Sequence, residues 1–300
     1  MTRVAAIDLG TNSTRLVVAD VEEGRVDEIV RRSVVTRLGE GVDSRRRLLP
    51  VPVARVRNVL AAFRQELEEL GAERTLAVAT SAVRDAANGE AFLGEIKWSY
   101  GFATKLLSGD DEALLTRRGV GAQTPGTLLL DVGGGSTELS TNDFAASLDI
   151  GSVRLTERRL HGDPPTPAEL EAARAAVDEL LPSLDVTQAI GVAGTVGQLA
   201  ALAGTDALSL AVVVRLTTEL AALPLAERRL VPGLDPERAP VIVAGALIVR
   251  TVLERYDLDA IRFSVRDLLD GAALEAAELP APGEGAAPPE PASLPATPIA

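Results

Sequence analysis

The segment Asp8-Leu9-Gly10-Thr11-Asn12-Ser13-Thr14-Arg15-Leu16 returns as Asp131-Val132-Gly133-Gly134-Gly135-Ser136-Thr137-Glu138-Leu139. Asp, Gly, Ser, Thr and Leu occupy the same slots in both copies. Each copy lies between apolar runs, Val4 to Ile7 and Leu16 to Ala19 in the first, Leu128 to Leu130 and Leu139 onward in the second. An apolar run, a Gly-rich tight turn and another apolar run read as strand, turn and strand. A chain of 300 residues that carries this unit twice is constrained to a duplicated domain, because length alone allots about 150 residues to each.

The sequence between the copies alternates helical and strand signals. Val56, Val59, Leu60, Phe63 and Leu67 give a helical apolar face over 53–70, closed by Gly71. A short strand follows over 75–80, and 110–120 reads as a helix with Ser108 as N-cap and acidic residues in its first turn. In the second half Thr166 and Glu169 form a capping box for a helix over 167–181, and the strand 190–193 runs into Gly194-Thr195. A last helix is expected near 267–279. The expected domains are therefore 1–120 and 121–279, with a disordered Pro/Ala/Gly/Glu tail over 280–300.

Composition removes whole classes of function. A formal net charge of −13 repels nucleic-acid backbone and anionic lipid alike, so neither a nucleic-acid polymer nor a membrane surface is an expected partner. With no cysteine there are no disulfides, thiolate metal sites or Cys nucleophile. The apolar run 240–249 stops at Arg250, short of the about 20 residues a bilayer requires. No export signal is visible after Met1, and a cytoplasmic location is expected.

A strand ending in Asp that turns through Gly, Gly and Ser/Thr gathers backbone N–H groups and hydroxyls into one concavity suited to phosphate oxygens. Asp8 and Asp131, one from each copy, would then face each other across an interdomain cleft and could hold Mg²⁺ or Mn²⁺, hard ions that prefer oxygen. Each unit read alone is equally a plain hairpin turn, but the matched pair favours the phosphate reading. No G-x-x-x-x-G-K-[ST] motif and no complete dinucleotide fingerprint is present.

These two loops resemble the phosphate loops of the exopolyphosphatase/guanosine pentaphosphate phosphohydrolase family, relatives of actin and sugar kinases. Three further blocks are similar to that family's and come in its order: Ala79-Thr80-Ser81-Ala82-Val83-Arg84-Asp85-Ala86, Ser108-Gly109-Asp110-Asp111-Glu112-Ala113 and Gly191-Val192-Ala193-Gly194-Thr195. The resemblance spans about 4–275 and implies an α/β fold of duplicated ribonuclease H-like (actin/hexokinase-like) domains. It implies Asp8 and Asp131 as metal-associated carboxylates, with Glu112 as catalytic base and Glu138 as second candidate. The phosphate cradle it implies comprises Gly10, Thr11, Asn12, Ser13, Gly133, Gly134, Gly135, Ser136, Thr137, Gly194 and Thr195, with Arg84 as a substrate-phosphate ligand. The implied activity is Mg²⁺-dependent release of terminal orthophosphate from polyphosphate or guanosine pentaphosphate, and a homodimer is an assembly this reading admits.

Competing local readings stand beside these. Arg84 could pair with Asp85, Glu112 could complement its helix dipole, and Gly194-Thr195 could be a bare turn. The single histidine, His161, lies in a polar loop and receives no role. Arg154, after Gly151-Ser152, is expected to face the cleft. The block Ser264-Val265-Arg266-Asp267 departs from the family's Ser-Glu-His-Asp-like sequence, and Val196-Gly197-Gln198 replaces hydroxyl-bearing positions. The chain resembles the short, two-domain type, for which short polyphosphates or guanosine pentaphosphate are the expected substrates. Two other readings remain: a catalytically weak guanosine tetraphosphate/polyphosphate sensor and an actin-like small-molecule kinase.

Overall fold

The computed structural model describes residues 1–280; most of the expected tail lies outside the described residues. The first half runs β1 (Thr2–Leu9), β2 (Ser13–Glu22), β3 (Arg25–Val35), α1 (Val42–Arg45), α2 (Pro50–Leu70), β4 (Arg74–Ala79), α3 (Ser81–Arg84), α4 (Gly89–Tyr100), β5 (Ala103–Leu106) and α5 (Gly109–Val120). Next come β6 (Thr127–Val132), β7 (Thr137–Ser140), β8 (Ala145–Leu148), α6 (Ser152–Arg159), α7 (Pro167–Leu180), β9 (Gln188–Val192) and α8 (Ala193–Ala203). The chain continues through β10 (Ala207–Ser209), α9 (Leu210–Ala222), α10 (Leu225–Arg228), α11 (Ile242–Arg255), β11 (Ala260–Phe263) and α12 (Leu268–Ala277).

The duplication in sequence is a duplication in space. One sheet has the order β3-β2-β1-β4-β5, and the other, β10-β11-β9-β6-β7-β8, repeats it with β10 added at the edge. In each, an antiparallel meander continues into parallel strands, β1 with β4 and β6 with β9. The register also repeats: Asp8 pairs with Arg15 and Asp131 with Glu138. Both hairpins close with the same bond, Gly10 N–H to Ser13 O at 3.1 Å and Gly133 N–H to Ser136 O at 3.0 Å. This is the duplicated ribonuclease H-like arrangement that the sequence implied.

Strand β1 is buried on both faces, so its apolar run serves two cores. Ala5, Ile7 and Leu9 pack with the α2 face of Val53, Val56, Leu60, Phe63 and Leu67, while Val4 and Ala6 point to the opposite side. Helix α2 ends where Gly71 takes φ of +71°, a left-handed conformation that glycine adopts without a Cβ penalty.

The helices that close the two halves on either side of 120/121 cross over. Helix α12 does not pack on its own half's sheet: Leu268, Leu269, Ala272, Ala273 and Ala276 join Val4, Ala6, Val17 and Val78 in a core of the first half. Reciprocally, α5 lies against β7 and β8 of the second sheet. Each half thus donates its last helix to the other, and burying Leu268 and Leu269 contributes roughly 1.5–3 kcal/mol apiece to holding them together. Where α5 crosses α12, backbone meets backbone. A Cβ on Gly271 would collide with the Leu115 carbonyl, and one on Gly119 with the Asp267 carbonyl.

Gly271→Ala is therefore expected to destabilise the protein by about 1–3 kcal/mol, the usual cost of overpacking. Gly94→Ala in α4, where a Cβ meets nothing within 4 Å, should be neutral or stabilising. Urea unfolding of both variants checks the contrast. Among the described residues no helix is long and apolar enough to cross a membrane.

Candidate active site

The two hairpin turns meet over a chamber of about 70 Å³ lined by Asp8, Asp131 and residues of both loops. They touch each other: a Cβ on Gly134 would lie 2.8 Å from Thr11 Cβ, and one on Gly135 would lie 3.0 Å from Thr11 Oγ1. Helix α6 sets the direction of the second loop. Its leading amides, Ser152 N–H and Val153 N–H, donate to Gly133 O at 2.9 Å and Gly134 O at 2.8 Å, which turns those carbonyls away from the chamber. Gly151 has no room for a side chain, since its Cβ would sit 2.6 Å from the Gly134 carbonyl carbon. What remains is donor-rich: the backbone N–H groups of Thr11, Asn12, Gly134 and Gly135 donate to no protein acceptor among the described residues. Amides without protein acceptors are free to bind a ligand, and amides gathered in this way attract anions.

A third wall comes from α8, whose N-terminus follows Ala193 at φ +59° and places Gly194 and Thr195 on the chamber. Arg238 lies over Gly194, where a Cβ would strike the guanidinium. The loop carrying Arg238 is tied down by Gln198, which donates to Gly233 O at 2.6 Å and accepts from Asp235 N–H at 3.1 Å. Asp235, the carboxylate paired with Arg238, is 3.9 Å away, too far for a hydrogen bond, so the cation faces the chamber largely uncompensated. Burial and neighbouring Arg15 both hold its pKa below the usual arginine value.

The two ends of the chamber differ because equivalent slots carry opposite charge. In the first half Arg15 Nε donates to Asp8 Oδ2 at 2.8 Å, and Arg15 also pairs with Asp267, the N-cap of α12. In the second half the slot holds Glu138, and the facing residue on α5 is Glu112. Ser108 and Asp111 form the capping box that starts α5 and fixes Glu112 within its first turn. Glu112 is buried, and burial, then Glu138, then Asp131 push its carboxyl well above the ordinary range, against the pull of Arg84. Burial and Glu138 raise Asp131 likewise, and burial raises Glu138 despite bonds from Ser147 and Ser136. Acids buried together disfavour their ionised forms, which raises the proton affinity that a general base needs.

The profile of the Ppx/GppA phosphatase family matches residues 17–278. The chain belongs to the Ppx/GppA phosphatase family. Exopolyphosphatase 2 of Mycobacterium tuberculosis is 37% identical, over 92% of this chain and 99% of that protein. A solved exopolyphosphatase-like protein superposes with a TM-score of 0.85 at 32% identity, covering 91% of this chain and 97% of its own. The exopolyphosphatase of Cytophaga hutchinsonii gives a TM-score of 0.82 at 28% identity, covering 90% and 96%. As a Ppx/GppA member the chain is a hydrolase acting on acid anhydrides.

Within this Ppx/GppA chain, Asp8, Gly10, Thr11, Asn12, Ser13, Glu112, Asp131, Gly133, Gly134, Gly135, Ser136, Gly194 and Thr195 all line the one chamber. The rest of the expected set lies elsewhere. Thr137 is turned away, its Oγ1 donating to Ile150 O at 2.6 Å, so it holds the hairpin and not a ligand. Arg84 lies behind Glu112, donating to Leu107 O at 2.8 Å and Glu112 Oε2 at 3.3 Å, and lines an adjoining cavity. Asp85 pairs not with Arg84 but with Arg154, which is buried between Asp85, Asp43 and Asp149 instead of standing free in the cleft. Glu138 is covered, with Ser147 Oγ donating to its Oε1 at 2.7 Å. Arg15, Ser81 and Arg238 join the chamber from outside the expected set. Arg15 occupies in the first repeat the slot that Glu138 fills in the second, whereas Arg238 sits in a Pro-rich loop with no motif to mark it.

Proposed function

We propose that this chain is a Mg²⁺-dependent exopolyphosphatase that releases terminal orthophosphate from polyphosphate. The observation that carries the reading is the chamber itself: four unbonded amides and an uncompensated arginine gather on it, and Glu112 lines it with its proton affinity raised by burial and by the covered Glu138. The amides and Arg238 grip the oxygens of the terminal phosphoryl group. Glu112 orients a water, takes its proton and lets its oxygen bond to phosphorus as the bridging P–O bond breaks and the shortened chain keeps that electron pair. Burial first, then Glu138 and Asp131, hold the Glu112 carboxyl above the ordinary range, which strengthens it as a proton acceptor.

The residues suit a hard cation. Asp8 Oδ1 is buried with no hydrogen-bond partner, Asp131 shares the chamber, and all the donors are oxygens. Mg²⁺ takes one or two carboxylates and completes its shell with phosphate and water, so the pair Asp8 and Asp131 suffices. Asp8 and Asp131 would hold it, and it would neutralise charge on the phosphoryl oxygens. Orthophosphate release is expected to cease in excess EDTA and return with Mg²⁺, and a rate indifferent to chelation would sink the metal assignment.

Guanosine pentaphosphate is a second substrate favoured by a separate observation. A cavity of about 290 Å³ adjoins the chamber at Arg15 and Arg238, and Phe263, Val265, Gly197 and Ala201 give it an apolar wall that a planar base fits. Orthophosphate release from short polyphosphate, long polyphosphate and guanosine pentaphosphate, each with and without Mg²⁺, tests both substrates. Tight binding of all three without turnover would select the sensor reading.

A further inference from the structure

The chamber has two wider neighbours. The front cavity, just described, opens at Arg15, Ala193, Gly194 and Arg238 and is bordered by Arg31 and Arg32 as well. A back cavity of about 320 Å³ meets the chamber at Ser136 and is lined by Arg84, Asp85, Ser108, Asp110, Asp149 and Arg154. We propose that the back cavity is the outlet through which orthophosphate leaves, while the shortened polyphosphate remains in the front mouth. The proposal rests on the reading of the chamber as a polyphosphate hydrolase.

Charge separates the two openings. The front lining carries Arg15, Arg31, Arg32 and Arg238 against one lining acid, Asp267; the first three are paired with acids and Arg238 has no close partner, and this surplus of arginine draws a polyanion to that side. In the back lining Arg154 is already enclosed by Asp43, Asp85 and Asp149, Arg84 pairs with Glu112, and Asp110 is exposed with no ion-pair partner among the described residues. A polyphosphate chain threading that way would set many charges against these acids where orthophosphate sets only its own, so the chain does not pass through and cleavage stays at its end.

The chemistry fixes which product lies where. In an in-line displacement the attacking and leaving oxygens lie on opposite sides of phosphorus. Arg84, which touches Glu112, lines the back cavity, so the water side is the back and the bridging oxygen points to the front. When the bridging P–O bond breaks, its electron pair stays on the chain in the front mouth. Orthophosphate, carrying the water oxygen, stands between that chain and the back cavity. Its open route is past Ser136, where Arg84 also lines the cavity, and the acids beyond weaken retention of the anion.

Asp110→Lys tests this on the full-length protein, because Asp110 is an exposed residue in the first turn of α5 that takes no part in catalysis. Reversing its charge should make orthophosphate a stronger inhibitor of turnover by about fivefold, the scale of a charge change near the protein surface, with Asp110→Asn intermediate. The KM for long polyphosphate should stay within about twofold, and Arg32→Gln should raise that KM without changing orthophosphate inhibition. Unchanged orthophosphate inhibition in active Asp110→Lys, or a KM falling as far as the inhibition constant, overturns the outlet alone. If the unaltered protein releases no orthophosphate from any polyphosphate, the reading of the chamber falls and the outlet with it.

Discussion

Glu112→Gln is expected to slow orthophosphate release by about 10²–10⁴-fold while polyphosphate still binds, because the amide keeps the shape and loses the proton acceptor. Single-turnover phosphate release, paired with calorimetric binding of a short polyphosphate, separates the two effects. An equal loss of binding and turnover would make Glu112 a structural residue. The same substitution should stabilise the fold. Burial first, then Glu138 and Asp131, raise the folded-state pKa of Glu112 above its unfolded value. The folded state therefore holds that proton more tightly, and its contribution to stability is fully present below the ordinary carboxyl pKa and lost as pH rises through the raised one. Glutamine imitates the protonated form at every pH. The variant should be more stable than the parent at neutral and alkaline pH and no more stable near pH 4, which urea unfolding at the two pH values checks. Activity of the parent should rise with pH through the raised pKa, since only the carboxylate accepts a proton.

Arg238→Ala is expected to raise KM for polyphosphate by about 10–100-fold, the scale of losing a hydrogen bond to a charged group in a buried site, with a smaller effect on kcat. The reason is the weak compensation of this guanidinium: Asp235 stands 3.9 Å away and the nearest hydroxyl, Ser13 Oγ, at 3.5 Å. Because no strong ion pair is lost, thermal stability should stay nearly constant, and a fall of several degrees with KM unchanged would show that Arg238 merely props the loop. Gln198→Ala, which unties that loop from Gly233 and Asp235, should reproduce part of the KM effect without removing any charge. The glutamine that stands at an expected hydroxyl position thus has a use in this chain, and Asp267 in the altered C-terminal block is the partner of Arg15.

Asp8 and Asp131 were legible because a strand ending in Asp before a Gly/Ser turn is a local pattern, and its recurrence places both copies at the same register. Helices α5 and α7 were legible down to their caps, since Ser108 with Asp111 and Thr166 with Glu169 need nothing beyond their own first turns. Arg84 was assigned to the cradle from its block, yet a side chain on a four-residue helix can reach either side of Glu112, and the Leu107 carbonyl draws it behind. Thr137 looked like its neighbour Ser136, but alternation along β7 turns its hydroxyl to Ile150.

The sequence by itself determined the duplication, the α/β class, the two anion-binding turns and the acids that accompany them, because each is written in residues within a few positions of one another. Tertiary structure alone decided that α5 and α12 exchange sheets, that Arg238 arrives from a distant loop, and that Glu112 meets Glu138 while Arg15 meets Asp267. These are contacts between segments far apart in the chain, set by how two sheets and their crossing helices pack at Gly119 and Gly271. A pattern of neighbours carries no record of that distance, whereas the raised proton affinity of Glu112 depends on it entirely.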